Sequence, residues 1–299
     1  MATKKVNYSH MKILVTGANG QLGTEIRKRS VLFADFQFVF TDINELDITN
    51  RKAVDAFFEK ETPDFLINCA AYTAVDVAET DDELAELLNT KVPAWLGKTG
   101  KQRNCRIIHI STDYVFDGTS CIPYTENDLV NPESVYGKTK LNGEISLLKE
   151  NTGAMIIRTA WLYSPYGNNF AKTMIRLGLE RDELKVVFDQ VGSPTYAGDL
   201  AQAILTIISK TNQRSAVWKP GIYHYSNEGV CSWYDFAKAI HEIYGITCNV
   251  RPVTTDEYPT SAKRPAYSVL NKSKIKRIFD LDIPYWRDSL KTCIDQIKI

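Results

Sequence analysis

Residues Lys12–Gly23 read K-I-L-V-T-G-A-N-G-Q-L-G, and the fold follows from them. Lys12–Thr16 is a short apolar run rich in branched residues and closed by a glycine, the pattern of a buried parallel strand. Gly17, Gly20 and Gly23 follow at G-x-x-G-x-x-G spacing, not the general G-x-G-x-x-G. Gln21–Leu32 has helical character, with Leu22, Ile26 and Arg29 marking its turns. In a strand–turn–helix unit such glycines let the backbone approach a pyrophosphate. The helix start then offers free N–H groups and a positive dipole end. An ordinary glycine turn is the plainer alternative.

Downstream, the unit repeats. Gln37–Phe40 forms a second strand that ends at Asp42, 25 residues after Gly17. That is near the ~20-residue offset at which an acidic side chain meets an adenosine ribose. A turn aspartate is the alternative. A carboxylate there would repel a 2′-phosphate, which tilts the choice toward NADH without excluding NADPH. Thr49 is placed to cap a helix whose apolar stripe is Val54, Phe57 and Phe58. Phe65–Asn68 is the third strand, and the small residues after it permit a flat ligand to approach or simply pack. An acidic helix runs from about Asp76 to Thr99, kinked or broken near Pro93. Arg106–Ile110 is the fourth strand, in which His109 alternates with apolar residues and reads as structural. Ala154–Arg158 is the fifth. This alternation predicts an α/β fold, a Rossmann-like doubly wound parallel sheet.

In such sheets ligands bind beyond the carboxyl ends of the strands. Ser111-Thr112-Asp113-Tyr114 occupies that place after the fourth strand. Val135–Glu144, V-Y-G-K-T-K-L-N-G-E, then sets Tyr136 and Lys140 four apart, on one face if helical. An ammonium beside a phenol lowers the phenol pKa and tunes it for proton exchange. Alternatively the two share a solvated helix face.

The remaining half is less regular. Thr159–Phe170 is dense in aromatics and amides, suited to a base and sugar or to a packed loop. Leu184–Phe188 and Gly221–Tyr225 read as strands, and Asp199–Ser209, Ser232–Tyr244 and about Pro284–Ile299 as helices. Arg251–Pro265 reads as an irregular loop. The expected division is a dinucleotide-binding region over 11–158 and a smaller substrate-binding region over 159–299. Segments within about 184–225 return to the first sheet, and residues 1–10 form an extension.

Composition narrows the function. Lys+Arg and Asp+Glu both number 36, so no broad field attracts nucleic acid or an anionic membrane. No apolar run nears the ~18 residues of a membrane span. Residues 1–10 lack the apolar core of a secretory signal. Six scattered cysteines, none in C-x-x-C, read as reduced thiols in a cytoplasmic protein. The four histidines show no zinc-like spacing.

Taken in order, V-T-G-A-N-G-Q-L-G, L-D-I-T, N-C-A-A-Y-T-A-V-D, S-T-D-Y-V-F-D-G, V-Y-G-K-T-K, R-T-A-W-L-Y, G-N-N-F, D-Q-x-G-S-P-T and R-P-x-x-S span Met11 to Ser268. The set resembles the dTDP-4-dehydrorhamnose reductases, of the extended short-chain dehydrogenase/reductases. The resemblance implies reduction of the C4 ketone of dTDP-4-dehydro-β-L-rhamnose to dTDP-L-rhamnose by NADPH or NADH. It implies Tyr136 as proton donor, Lys140 as holder of the nicotinamide ribose and tuner of the phenol, and Thr112 as a partner to the same oxygen. Gly17, Gly20, Gln21, Leu22 and Gly23 would face the pyrophosphate. Asp42, Asp47 and Ile48 would frame the adenosine, and Ala70, Ala71, Tyr72 and Thr73 the ribose side. Asp113 and Trp161 would contact substrate. Asn169, Lys172, Gln190 and Arg264 are candidates for its dTDP end.

Some of that family dimerise around a magnesium ion held by acidic side chains. Glu25 matches one ligand, but Gly198 stands where a second carboxylate is expected. No metal is therefore expected, and a monomer or weak homodimer is. Two rivals remain. A dehydratase or epimerase of the superfamily would carry an acid after the Thr-Asp pair, where this chain has Tyr114. A regulatory subunit, like the β subunit of methionine adenosyltransferase, would bind the cofactor without turnover.

Overall fold

The computed structural model describes residues 11–214 and 217–297. The expected extension at 1–10 lies outside them. The first half alternates β1 (Met11–Thr16), α1 (Gln21–Ser30), β2 (Phe36–Thr41), α2 (Arg51–Glu61), β3 (Phe65–Asn68), α3 (Asp82–Glu86), α4 (Val92–Gln102), β4 (Arg106–Thr112), α5 (Val135–Glu150) and β5 (Met155–Thr159). The second half holds β6 (Leu162–Tyr163), α6 (Phe170–Glu180), β7 (Glu183–Val187), β8 (Val191–Gly192), β9 (Thr195–Tyr196), α7 (Ala197–Gln213), β10 (Gly221–Tyr225), β11 (Cys231–Ser232), α8 (Trp233–Tyr244), β12 (Asn249–Val253), α9 (Ser273–Phe279) and α10 (Trp286–Ile294).

Six strands form one parallel sheet in the order β10-β5-β4-β3-β1-β2. Its strands are mostly apolar because both faces are covered. On one face α1 and α7 pack over Ile13, Val15, Ile67, Ile157 and Tyr223. On the other, Leu14, Leu66, Ile107 and Ile156 meet Val54, Phe58, Leu96 and Leu147. The order reverses between β1 and β3, which opens a crevice beyond their carboxyl ends. A separate apolar cluster joins α6, α8 and α10, with Phe236 and Trp286 among its buried residues.

The second half departs from the sequence reading. β7 does not enter the main sheet; it pairs in parallel with β12. That strand runs into the first residues of the stretch read as loop, Arg251–Pro265, and such a partner 66 residues away leaves no local signal (Asn249 against Glu183). α9 was also unforeseen. Ser232 does cap α8, in a reciprocal capping box with Asp235.

Two corrections fall in the first half. Asn50, not Thr49, caps α2 by accepting from the Ala53 N–H (3.2 Å). The Thr49 hydroxyl is instead held by Asp47 Oδ1 at 2.6 Å. The acidic helix is four pieces: a 3₁₀ turn at Val77–Glu79, α3, a π turn at Leu87–Lys91, and α4. Pro93, in the first turn of α4, has no N–H to give the Asn89 carbonyl, and the ladder widens there. That carbonyl packs against Gly143 of α5, so closely that a Cβ could not stand between them.

Candidate active site

A continuous cleft of about 1160 Å³ follows the carboxyl ends of β1, β3, β4 and β5. Gly17, Gly20, Gln21, Leu22 and Gly23 line one wall. Gly17 has φ +64°, and a Cβ on it would lie 2.7 Å from the Ala70 nitrogen of the neighbouring loop. A Cβ on Gly23 would fall on the Gly17 carbonyl and Ala18. The three-residue spacing is thus a packing requirement: α1 is pressed against its own turn. Gly20 caps α1 with backbone alone, leaving the helix start open. Asp42, Asp47 and Ile48 continue the same wall, and Ala70, Ala71 and Thr73 face them. The Asp42 carboxylate accepts from the N–H groups of Asn19 and Ile43, each at 2.9 Å.

Thr112, Asp113, Tyr136 and Lys140 converge on the cleft from β4 and α5. The start of α5 is fixed twice: Ser134 Oγ accepts from the Gly137 N–H (3.1 Å), and Glu79 accepts from the Val135 N–H (2.8 Å). Lys140 is 1% exposed and donates to the Ile110 carbonyl at 2.6 Å. Burial brings its amine down to about 8, against Glu144 and Cys69, which hold it up. The Tyr136 phenol moves opposite to the sequence expectation. Burial pushes it up to about 12; a hydrogen bond with Thr112 pulls it down, and the Asp113 charge raises it further. The ammonium expected to lower it is instead bound to the Ile110 carbonyl. Asp113 is raised by burial to about 6, with the Ser268 and Thr112 hydroxyls drawing it back. Tyr114 sets its ring edge to face on Tyr136, centroids 5.5 Å apart.

Behind these groups lies a buried layer the sequence did not reveal. Glu144, one turn past Lys140, takes Arg158 Nη2 (2.6 Å) and Nε (2.9 Å) and the Ser111 hydroxyl (2.5 Å). His109 lies 3.5 Å from Lys140 Nζ and 2.9 Å from the Asn68 amide. Asn89 spans the loop after β3 and α5: Oδ1 accepts from the Tyr72 N–H, and Nδ2 donates to the Tyr72 carbonyl and Thr139. A signal for the ion pair did exist, since an arginine inside the M-I-I-R-T strand needs a buried partner.

At the far end Trp161 adopts φ +47°, a strained value for a bulky residue, and stacks on Trp233 at 3.5 Å. Trp233 was not anticipated from sequence. Asn169 also lines the cleft, where its Nδ2 donates to Gln21 Oε1 at 3.0 Å and its Oδ1 caps α6. Four expected site residues are absent from the lining. The Tyr72 phenol turns to Asp81 (3.0 Å) and Lys172 Nζ to the Gly167 carbonyl (3.0 Å). Gln190 is held by Thr255 (3.1 Å). Arg264 is spent in a two-point pair with Asp76, at 2.6 and 3.1 Å.

The magnesium site seen in some of the resembling family does not fit here. Arg29 is ion-paired to Glu25 and fills the space beside Gly198, where a Cβ would collide with its guanidinium. Among the described residues no three His, Cys, Asp or Glu side chains are grouped to hold a metal ion. Nor is any helix among them long and apolar enough to cross a membrane.

A parallel doubly wound sheet, a glycine turn at its switch point and a Tyr-x-x-x-Lys helix across the crevice define a short-chain dehydrogenase/reductase of the extended kind. The RmlD substrate binding domain family matches residues 11–299. A dTDP-4-dehydrorhamnose reductase of Aggregatibacter actinomycetemcomitans is 42% identical over 94% of this chain and 97% of its own. The crystal structure of a dTDP-4-dehydrorhamnose reductase from Clostridium acetobutylicum is 48% identical, covers 97% of this chain and 100% of its own, and has a TM-score of 0.90. That of Bacillus anthracis, in complex with NADP, is 38% identical over 96% and 99%, with a TM-score of 0.89. The chain belongs to the dTDP-4-dehydrorhamnose reductase family, which are oxidoreductases.

Proposed function

We propose that this protein reduces the C4 ketone of dTDP-4-dehydro-β-L-rhamnose to dTDP-L-rhamnose, with NADPH or NADH, as a cytoplasmic enzyme of surface-polysaccharide precursor synthesis. The observation that carries this reading is the convergence of Tyr136, Thr112 and Lys140 on the cleft whose other wall is the glycine turn. Tyr114 stands where a dehydratase would carry its acid, which favours simple reduction over elimination.

The cofactor fits the residues present: the open start of α1 suits a pyrophosphate and Asp42 an adenosine ribose. When bound, it supplies a hydride to the ketone carbon. Tyr136 gives its proton to the oxygen of that carbon, and its high pKa keeps the phenol protonated and ready as an acid. The Thr112 hydroxyl, which donates to Asp113 Oδ1 at 3.0 Å, turns that one proton to the same oxygen when the ketone binds. Lys140 holds the ribose next to the nicotinamide, and Asp113 and Trp161 grip the sugar. Asn169 remains the best candidate from the second half for the dTDP end. The Bacillus anthracis relative was solved with NADP, which supports NADPH here, while Asp42 favours NADH. A monomer or weak homodimer, with no nucleic-acid or membrane partner, completes the reading.

The test is NADPH oxidation in the presence of the 4-keto sugar nucleotide. Tyr136→Phe lowers kcat by roughly 10²-fold or more. A near-wild-type rate removes Tyr136 as the acid. Tight NADPH binding with no turnover by the unaltered protein would favour a regulatory subunit instead.

A further inference from the structure

One side chain crosses from the glycine turn to the second half of the chain. Gln21 opens α1, and its backbone N–H belongs to the helix start that no side chain caps. Its side chain runs the other way, to the turn at residues 164–169 between β6 and α6. Asn169 Nδ2 donates to Gln21 Oε1 at 3.0 Å, and the Ser164 hydroxyl lies 3.3 Å from the same oxygen. Gln21 Nε2 faces the Leu162 carbonyl at 3.5 Å. Gly167, at φ +62°, brings the turn's backbone down on the glutamine stem, where a Cβ would lie 3.3 Å from Gln21 Cγ. Gln21, Gly167, Asn168 and Asn169 all line the cleft.

Backbone neighbours fix which way both amides point. Asn169 Oδ1 accepts from the Lys172 N–H at 3.1 Å, so Nδ2 is the end turned to the Ser164 carbonyl (2.8 Å) and to Gln21. The Tyr166 carbonyl, at 3.3 Å, shares one of its two protons. A flipped Gln21 would set nitrogen against nitrogen at 3.0 Å and oxygen against the Leu162 oxygen at 3.5 Å. The turn otherwise shapes itself. Ser164 Oγ accepts from the Tyr166 N–H, and Lys172 Nζ donates to the Gly167 carbonyl, each at 3.0 Å. Among the described residues, the hydrogen bonds from this turn to the first half all end on Gln21.

We propose that Gln21 is a positioning residue whose amide latches residues 164–169 over the open start of α1, enclosing the pyrophosphate of the bound cofactor and slowing its release. One residue then has two tasks, with its N–H turned to the cofactor and its side chain to the covering turn. Asn169 is engaged at both ends, and one Oδ1 lone pair is what it has left for a sugar nucleotide. The inference rests on the proposed placement of the cofactor at the glycine turn, but its test needs no turnover.

Stopped-flow fluorescence of bound NADPH, chased with excess NADP, reads the release rate. Gln21→Met keeps the length of the stem and the backbone N–H but removes both amide ends. Asn169→Ser keeps a cap for α6 but has no amide to reach Gln21. Each variant speeds release by about fivefold, the weight of one neutral hydrogen bond. The double variant is no faster than the faster single one, because both changes break the same link. A wild-type release rate in either folded variant overturns the proposal. So do increases that multiply in the double variant, since they mean two separate effects. A weakened affinity for dTDP with NADPH release unmoved overturns it too, and assigns the pair to the sugar nucleotide. Should one variant not fold, the release rate of the other decides. If the protein reduces no 4-keto sugar, the proposed function fails while the release rates still decide the latch.

Discussion

Glu144→Gln should be the most damaging single-atom-scale change behind the active site. The two partners are 1% and 2% exposed, so water cannot replace what is lost. Arg158 meets Glu144 through two nitrogens at 2.6 and 2.9 Å, while its third, Nη1, already has no hydrogen-bond partner among the described residues. Its remaining support is the Phe116 ring, 5.2 Å from the guanidinium carbon. Removing one charge from a buried pair costs about 3–5 kcal/mol, because the other is left uncompensated. A glutamine oxygen can still accept one of the bonds, which puts the loss near the lower end. At roughly 2–4 °C per kcal/mol for a large domain, the thermal midpoint falls by about 6–12 °C.

Calorimetry on the single variants and on Glu144→Gln with Arg158→Met checks this. The double variant recovers much of the loss, since it buries no charge at all. A second readout follows from the same carboxylate. Glu144 holds the Lys140 pKa up, so its neutralisation brings that amine below about 8 and moves the basic limb of activity to lower pH. A single-variant loss under about 1 kcal/mol, or strictly additive losses, would refute the account of the pair as buried and mutually dependent.

Three other outcomes follow from the geometry. Asp113 is protonated below about 6 in the folded protein but only below its ordinary 3.8 when unfolded, so its contribution to stability declines as pH rises between the two. Asp113→Asn therefore stabilises at neutral pH by about 3 kcal/mol, with no gain below about pH 4, as denaturant titrations at the two pH values would show. Gly23→Ala forces the Gly17 turn open and lowers kcat/KM on the order of 10²-fold, with weaker NADPH binding by fluorescence and little loss of secondary structure. Asp42→Ala removes a charge from the adenosine wall and raises the NADPH-to-NADH ratio of kcat/KM by roughly tenfold; an unchanged ratio means the carboxylate does not face the 2′ position.

What could be read from sequence was whatever chemistry is local. The first strand, the glycine turn and the Tyr-x-x-x-Lys helix each declare themselves within a dozen residues, and the parallel sheet follows from their alternation. The pairing of β7 with β12 has no such signature, because a short strand is specified by a distant edge. His109 was read as structural because it alternates with apolar neighbours; what it touches depends on α5, 31 residues on. Lys172, Gln190 and Arg264 are polar residues in motifs, and only the folded chain reveals that Gly167, Thr255 and Asp76 engage them. The sign of the Tyr136 shift is hidden from the sequence for a related reason. Spacing puts an ammonium on the same helix face, but it does not say that a carbonyl of β4 takes that ammonium, or how deeply the phenol is buried.

The three shifts at the reacting end share one cause, and together they bear on mechanism. Burial raises Tyr136 and Asp113 and lowers Lys140, so each group is pushed toward its neutral form. Lys140, near 8, is still mostly an ammonium at neutral pH, but the Ile110 carbonyl engages it. What the site offers an oxyanion directly is a protonated phenol and a hydroxyl. On the proposed reaction, an alkoxide formed there is relieved by the proton it receives from Tyr136. The Glu144–Arg158 pair holds its own two charges in a buried layer behind the site, where they cancel each other.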